Sequence, residues 1–476
     1  MTFYSVVNNG KQIIKVYKDL TDQSNNDCEV THIDGQDAYR VIYEFAKDSV
    51  VSSKDLGVRF NIALDLIYQE RSFAFRNEIP KNSDIIYTLK CNNTKEFVVK
   101  RNWNAFSTST VLNKFNDSKT YFDNICNPTK ENKQPILSSL MFREIAKTFD
   151  ETNSRKLTEQ EQSVTIIRVI DEFIGFYKQE DFGIVKIFTE NPTVLNTAVL
   201  INVLQGFNEL ANTGVKKVVL DLSDNLGGSV LIVVFINLLL FPNTFPTFDY
   251  DMRITKQMRL AVTEEFRLAT SNTIFDIKGY VNANTHANFT SADDFFGNNV
   301  YTRGGVVGNY SNKYVLSDIE INEIRQIIKQ NLSTPLPWKP EDYIILTNGL
   351  CGSACSHIAQ HAAEFNNVTT VAVGGIASNP LLSYSTFPGG SVCNSTVIFN
   401  SLGKLNLLNN TLMPKPFPLG GMDVTLTINE KYSKIKPDEI LEYAFRPADF
   451  RIFYDEKNIR NISILWSQAA ALIGKK

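Results

Sequence analysis

The sequence predicts an α/β protein built on a mainly parallel sheet, and three observations carry that prediction. Apolar runs suited to buried strands alternate with helical stripes: residues 183–188 (GIVKIF), a stripe over 193–212, residues 218–222 (VVLDL) and the apolar run 230–241. Strand–helix–strand–helix order calls for parallel strands with helices packed on the sheet. A second such unit reads IILTNGLCGSACSHIAQ over 344–360, a strand, a small-residue turn and a helix. The third observation is bulk: 476 residues, 43% apolar and 21% charged, describe a globular chain with room for two or three domains.

Residues 1–27 read as a strand pair, TFYSVV and QIIKVY, joined by the hairpin turn Asn8-Asn9-Gly10. Residues 28–106 read as a small α+β module with a strand and turn at 30–35, an amphipathic helix in DAYRVIYEFA, and strands at 85–89 and 96–99. Residues 107–160, rich in Asn, Lys, Ser and Thr, read as a linker or surface excursion. The core is expected over 161–455, interrupted by a polar stretch at 266–316 that reads as a lid or specificity loop. A C-terminal helix is expected within 456–476. The run 230–241 is too short to cross a bilayer and reads as a buried helix.

A net charge of −3 gives no reason to expect nucleic acid or an anionic membrane as partner. Nine Asn-x-Ser/Thr sequons begin at Asn92, Asn116, Asn288, Asn309, Asn331, Asn367, Asn394, Asn409 and Asn461. They favour a secreted or extracellular protein, although this numbering contains no signal peptide.

The chemistry concentrates at two strand ends. Ser353 stands where the turn of the second unit becomes a helix, so its hydroxyl sits on an elbow beside free N–H groups and the positive helix end. Such a place suits a nucleophile whose attack creates an oxyanion. It equally suits a plain helix N-cap, for which serine is preferred. The flanking Gly352 and Ala354 favour the nucleophile. The other strand runs Asp221-Leu222-Ser223-Asp224-Asn225-Leu226-Gly227-Gly228, and its bare Gly-Gly backbone can approach a reacting carbonyl. The amides of Gly227 or Gly228 and of Ala354 are therefore the expected oxyanion donors, with Asp221 and Asn225 bracing the turn. Cys351 and Cys355 are rival nucleophiles at a helix start, or packing residues, or partners for a bridge to Cys393.

Together these segments resemble the tail-specific, or C-terminal-processing, serine proteases, in particular the branch that includes the chlamydial protease-like activity factor. Asp221, Asn225, Gly227 and Gly228 fill that family's Asp-x-x-x-Asn-x-Gly-Gly pattern, and Ser353-Ala354-Cys355-Ser356 matches its Ser-Ala elbow. The resemblance implies a ClpP/crotonase-like, mainly parallel core and a PDZ-like α+β module near the N-terminus, opened by Ile33-Asp34-Gly35. It implies endopeptidase chemistry through an acyl-enzyme on Ser353, a polypeptide or extended-peptide partner, and no cofactor or metal. Residues 441–449 (LEYAFRPAD) match the segment that supplies the orienting carboxylate, which makes Glu442 the candidate.

The general base is the weak place. No lysine lies between Ser353 and Lys404, which argues against a Ser-Lys pair, and the family's Asp-x-His motif would fall before Met1. Of the four histidines, His32 reads as structural and His286 lies in a polar loop. His357 and His361, with Glu364, could form a helical metal site but read better as packed residues. The rival functions are a pseudoprotease that binds extended peptides without cutting them, and a carrier of apolar ligands.

Overall fold

The computed structural model describes residues 1–64, 73–74, 80–92, 95–104, 115–126, 164–268, 273–386, 392–416 and 424–476. Most of the expected linker, 107–160, lies outside these. Among them the chain is a mixed α/β protein with several sheets.

The first sheet contains β1 (Thr2–Asn8), β2 (Lys11–Lys18), β3 (Glu29–Ile33), the short β4 (Gln36–Asp37), β5 (Asp84–Lys90) and β6 (Phe97–Asn102). Its order is β1-β2-β3-β5-β6, all antiparallel, with β4 beside β3. The β1–β2 turn places Asn9 at φ 49° and Gly10 at φ 78°, the backbone that an Asn-Gly hairpin favours. Because β2 pairs with β3, the strand pair of 1–27 and the segment after it share one sheet. Helices α1 (Ala38–Asp48) and α2 (Leu56–Leu64) cover it, burying Ile42, Ala46, Phe60 and Ala63 against Val30, Tyr87 and Leu89. A disulfide joins Cys28 to Cys91. The same core takes in Leu350, Ala372, Ile376 and Leu382, so this unit rests against the turn before Ser353.

The central sheet begins with β7 (Val164–Ile170), β8 (Ile174–Gln179) and β9 (Phe182–Ile187), an antiparallel meander. Helix α3 (Thr197–Asn212), strand β10 (Lys217–Asp221) and helix α4 (Val230–Leu240) follow. The chain then leaves the sheet to build β11 (Tyr250–Asp251), α5 (Lys256–Leu268), β12 (Tyr280–Asn282), the hairpin β13 (Asn299–Arg303) and β14 (Val306–Tyr310), β15 (Tyr314–Leu316) and α6 (Asp318–Asn331). It returns through β16 (Tyr343–Thr347), α7 (Ala354–Asn366) and β17 (Thr369–Val373). An antiparallel pair of β18 (Val392–Asn394) and β19 (Thr425–Thr427) precedes β20 (Glu430–Lys431), β21 (Phe450–Ile452) and α8 (Ile462–Ala470). The central order is β21-β17-β16-β10-β9-β8-β7, parallel from β21 to β9.

Strands buried on both faces lose simple alternation, and β10 is such a strand. Val218 and Leu220 face α3, α4 and α7, while Val219 faces α8 together with Ile344, Val371 and Trp466. Helix α4 is buried from Ile232 to Leu240, which accounts for its apolar sequence by core packing. The polar stretch 266–316 differs from the expected loop. Its described part supplies β12 to β15 and buries Phe275, Ile277, Phe295, Phe296 and Tyr314 against Tyr250 and Val262. Aromatic residues spaced through a polar sequence packed it, and no short-range period announces them. No described helix is long and apolar enough to cross a membrane.

Candidate functional site

Adjacent parallel strands β10 and β16 end side by side, and the turns that leave them are stitched together. The Asn225 N–H donates to the Leu350 carbonyl at 2.9 Å, and the Gly352 N–H donates back to the Asn225 carbonyl at 2.9 Å. The Asn225 side chain is fully engaged: Nδ2 donates to the Ile187 carbonyl (3.0 Å) and Glu190 Oε1 (2.9 Å), and Oδ1 accepts from the Gly227 N–H (2.8 Å). Gly227 sits at φ 102°, and a Cβ there would lie 2.7 Å from the Ala354 nitrogen and 2.8 Å from Ser353 Cβ. The Gly-Gly backbone therefore lies directly against the serine elbow.

Ser353 begins α7 at φ 49°, ψ −118°, a conformation that L-residues rarely adopt, and its side chain makes no capping hydrogen bond. It is half-buried among fully buried neighbours. A capping serine has extended backbone and accepts from the first helical turn, so this residue is not serving as an N-cap. Of the expected oxyanion donors, the Gly227 amide is committed to Asn225. Gly228 is exposed beside the elbow, and the Ala354 amide opens the helix.

Buried charges support these turns, and the sequence did not announce their partners. Lys186 Nζ reaches Asp221 Oδ1 at 3.0 Å and the Ser223 carbonyl at 2.6 Å, and Trp466 Nε1 donates to Asp221 Oδ2 at 2.9 Å. Burial pushes the Asp221 carboxyl up, but Lys186, Trp466 and the Ser223 N–H hold it below the usual range. Glu190 is fully buried beneath the Gly-Gly turn, and burial pushes its carboxyl up to about 8 against the Asn225 hydrogen bond. It is therefore largely protonated at neutral pH.

Cys351 and Cys355 form a disulfide with each other rather than the bridge to Cys393 that the sequence left open, which removes both from the list of thiol nucleophiles. Cys393 is buried. Two residues on either side of Ser353 is short range, so the pairing was geometrically available from sequence. Only the tight turn decides it.

The histidines are placed apart from one another's roles. His361 is buried, donates its Nε2–H to the Phe245 carbonyl (2.8 Å), and is pushed down to about 4 by burial. His357 packs edge-on to Phe248 and beside Tyr250. Glu364, the third member of the weighed metal set, is held by Arg446 Nε at 2.9 Å, Ser433 Oγ and the Lys434 N–H. His32 lies 3.1 Å from Thr31 Oγ1, and His286 is exposed in the loop after β12.

Glu442 has one oxygen accepting from the Lys431 N–H at 2.9 Å and the other buried with no partner among the described residues. Burial raises its carboxyl and lowers the Lys431 ammonium to about 7, each opposed by the attraction between them. Lys431, on β20 opposite Tyr250, is fully buried and was not singled out from sequence. Thr386 connects the elbow to the first unit: its N–H donates to the Cys351 carbonyl and its hydroxyl to the Ser52 carbonyl.

No protein-family model and no curated protein matches the sequence. Solved structures similar to the chain include mature CPAF, at 12% identity over 100% of this chain and 83% of that one, with a TM-score of 0.47. The photosystem II D1 C-terminal processing protease shares 11% identity over 99% and 75%, with a TM-score of 0.27. An S41 protease from Bacteroides fragilis shares 10% over 100% and 82%, with a TM-score of 0.33. These neighbours are tail-specific proteases.

Proposed function

We propose that the chain is a serine endopeptidase of the tail-specific type, with a ClpP/crotonase-like core and a PDZ-like module in the first sheet. The observation that supports this most is Ser353: left-handed backbone, a hydroxyl that does not cap its helix, and the Gly-Gly backbone in contact with it. In this reading Ser353 Oγ attacks the scissile carbonyl, the C–N bond breaks after protonation of the leaving amine, and water hydrolyses the acyl-enzyme. The amides of Gly228 and Ala354 face the developing oxyanion, and one such donor is worth about 2.7–4 kcal/mol. Gly227 contributes close approach rather than its amide. Glu442 is the orienting carboxylate for the general base in this reading. The two disulfides suit an oxidising, extracellular setting.

One observation favours the second reading, a peptide-binding pseudoprotease. His361 is committed to a carbonyl and His32 pairs within the first sheet, so neither is placed as a base for Ser353. A fluorophosphonate probe and an unstructured polypeptide substrate test both. Labelling at Ser353 with turnover, both lost in Ser353→Ala, supports the peptidase. Peptide binding with neither labelling nor turnover supports the pseudoprotease and ends the nucleophile reading.

A further inference from the structure

The backbone of Ser353 is held away from the conformation a serine at that position prefers. Left to local forces, Ser353 would extend its backbone and accept a hydrogen bond from Cys355 or Ser356 N–H, a cap worth about 1 kcal/mol. Residues in sparsely populated backbone regions persist only where their surroundings over-determine them.

Two constraints meet here. Gly352 is pinned to the Gly-Gly turn through its N–H to the Asn225 carbonyl, and Cys351 to Thr386, whose N–H donates to the Cys351 carbonyl. On the other side, Cys355 lies in the first turn of α7, fully buried in the central core. The Cys351–Cys355 disulfide ties the pinned strand end to the helix start, with Ser353 at its centre. Both cysteines are fully buried, so the bond is shielded by the same core it helps to shape.

We infer that the Cys351–Cys355 disulfide is a positioning element that holds Ser353 in its presented conformation, so that the elbow is reactive when oxidised and self-capped when reduced. A dithiol reductant supplies the electrons. One of its thiolates attacks a bridge sulfur to form a mixed disulfide, and its second thiol resolves it. Cys351 and Cys355 are left as thiols and the reductant as a cyclic disulfide. Because the sulfurs are buried, reduction follows local opening of the elbow rather than direct access. This rests on the reading of Ser353 as nucleophile, and goes beyond it by making the nucleophile's geometry redox-dependent.

The test measures the rate of Ser353 labelling by a fluorophosphonate in the full chain, in the double variant Cys351→Ser/Cys355→Ser, and in Cys28→Ser/Cys91→Ser. Melting temperature is followed in each. The expected result is a roughly tenfold or greater fall in labelling rate for the elbow variant. The other disulfide variant keeps the rate. A dithiol lowers the rate of the unsubstituted chain and leaves that of the elbow variant unchanged. Equal rates in the elbow variant and the unsubstituted chain overturn the inference, as does an equal fall in both disulfide variants.

A crystal structure of the elbow variant supplies a readout that needs no reactivity. Ser353 at negative φ, with its hydroxyl accepting from the first turn of α7, supports the inference. Ser353 unchanged at positive φ overturns it. If the unsubstituted chain is not labelled, the nucleophile reading fails, and the crystallographic result still decides the role of the bridge.

Discussion

The two disulfides among the described residues occupy opposite kinds of place. Cys28–Cys91 closes a sequence separation of 63 and joins the first sheet to itself, whereas Cys351–Cys355 closes a separation of 4 around one serine. Loop-closure entropy makes the first worth about 4 kcal/mol of folding stability and the second about 2. The long bridge acts mainly on the unfolded chain. The short one acts mainly on the local shape of a turn, so stability and reactivity should separate between the two regions.

The sharpest way to break that contrast is through glycine. Gly228→Ala places a Cβ 2.2 Å from the Glu190 backbone, which has no side chain to swing aside. We expect a loss above about 4 kcal/mol, read by chemical denaturation or by failure to obtain folded protein. Gly10→Ala in the first hairpin meets nothing within 4 Å and suffers only from its φ of 78°, with an expected loss of about 1 kcal/mol. Similar losses at both positions would mean that the turns beneath Ser353 are not closely packed.

Removing Cys28–Cys91 comes next, with an expected loss of about 4 kcal/mol in denaturant titrations and no change in Ser353 labelling. A fall in labelling would show that the first sheet shapes the elbow.

Glu190 gives a pH-dependent test. Its folded value of about 8 lies above the ordinary 4.5, so the unfolded chain ionises first as pH rises. Stability is full below pH 4.5 and declines towards pH 8, by up to about 1.4 kcal/mol per pH unit. Glu190→Gln keeps an acceptor for Asn225 and should flatten that decline in melts between pH 5 and 8. An unchanged slope would assign the pH dependence elsewhere.

The smallest effect expected is a gain. Ser353→Gly should stabilise the chain by up to about 1 kcal/mol by relieving the left-handed backbone, whereas Ser353→Ala should leave stability nearly unchanged. Both should abolish labelling. Equal melting temperatures for the two variants would mean that the elbow carries no strain.

Local patterns were legible. The hairpin at Asn9-Gly10, the amphipathic helix from Ala38 and the strands on either side of Ser353 follow short-range periods and turn residues, and the structure has them. The family resemblance paired the Gly-Gly turn with the Ser353 elbow, and the two turns lie in contact. The layer built from 266–316 was not, since its buried aromatics are scattered among polar residues. The partners of buried charge were equally hidden: Lys186 with Asp221, Glu190 with Asn225, and Lys431 beside Glu442 lie between 11 and 35 residues apart.

The sequence by itself therefore determined the strands and helices on either side of the Gly-Gly turn and of Ser353, the two glycine-rich strand ends and the serine between small residues. These depend on neighbours within a few positions. The tertiary structure alone decided that Ser353 is presented rather than capping, that the Gly227 amide is committed to Asn225, and that the two cysteines beside the serine pair with each other. Each of those outcomes depends on where a distant turn or core is placed against the residue, and the free-energy differences involved are too small for local preference to settle.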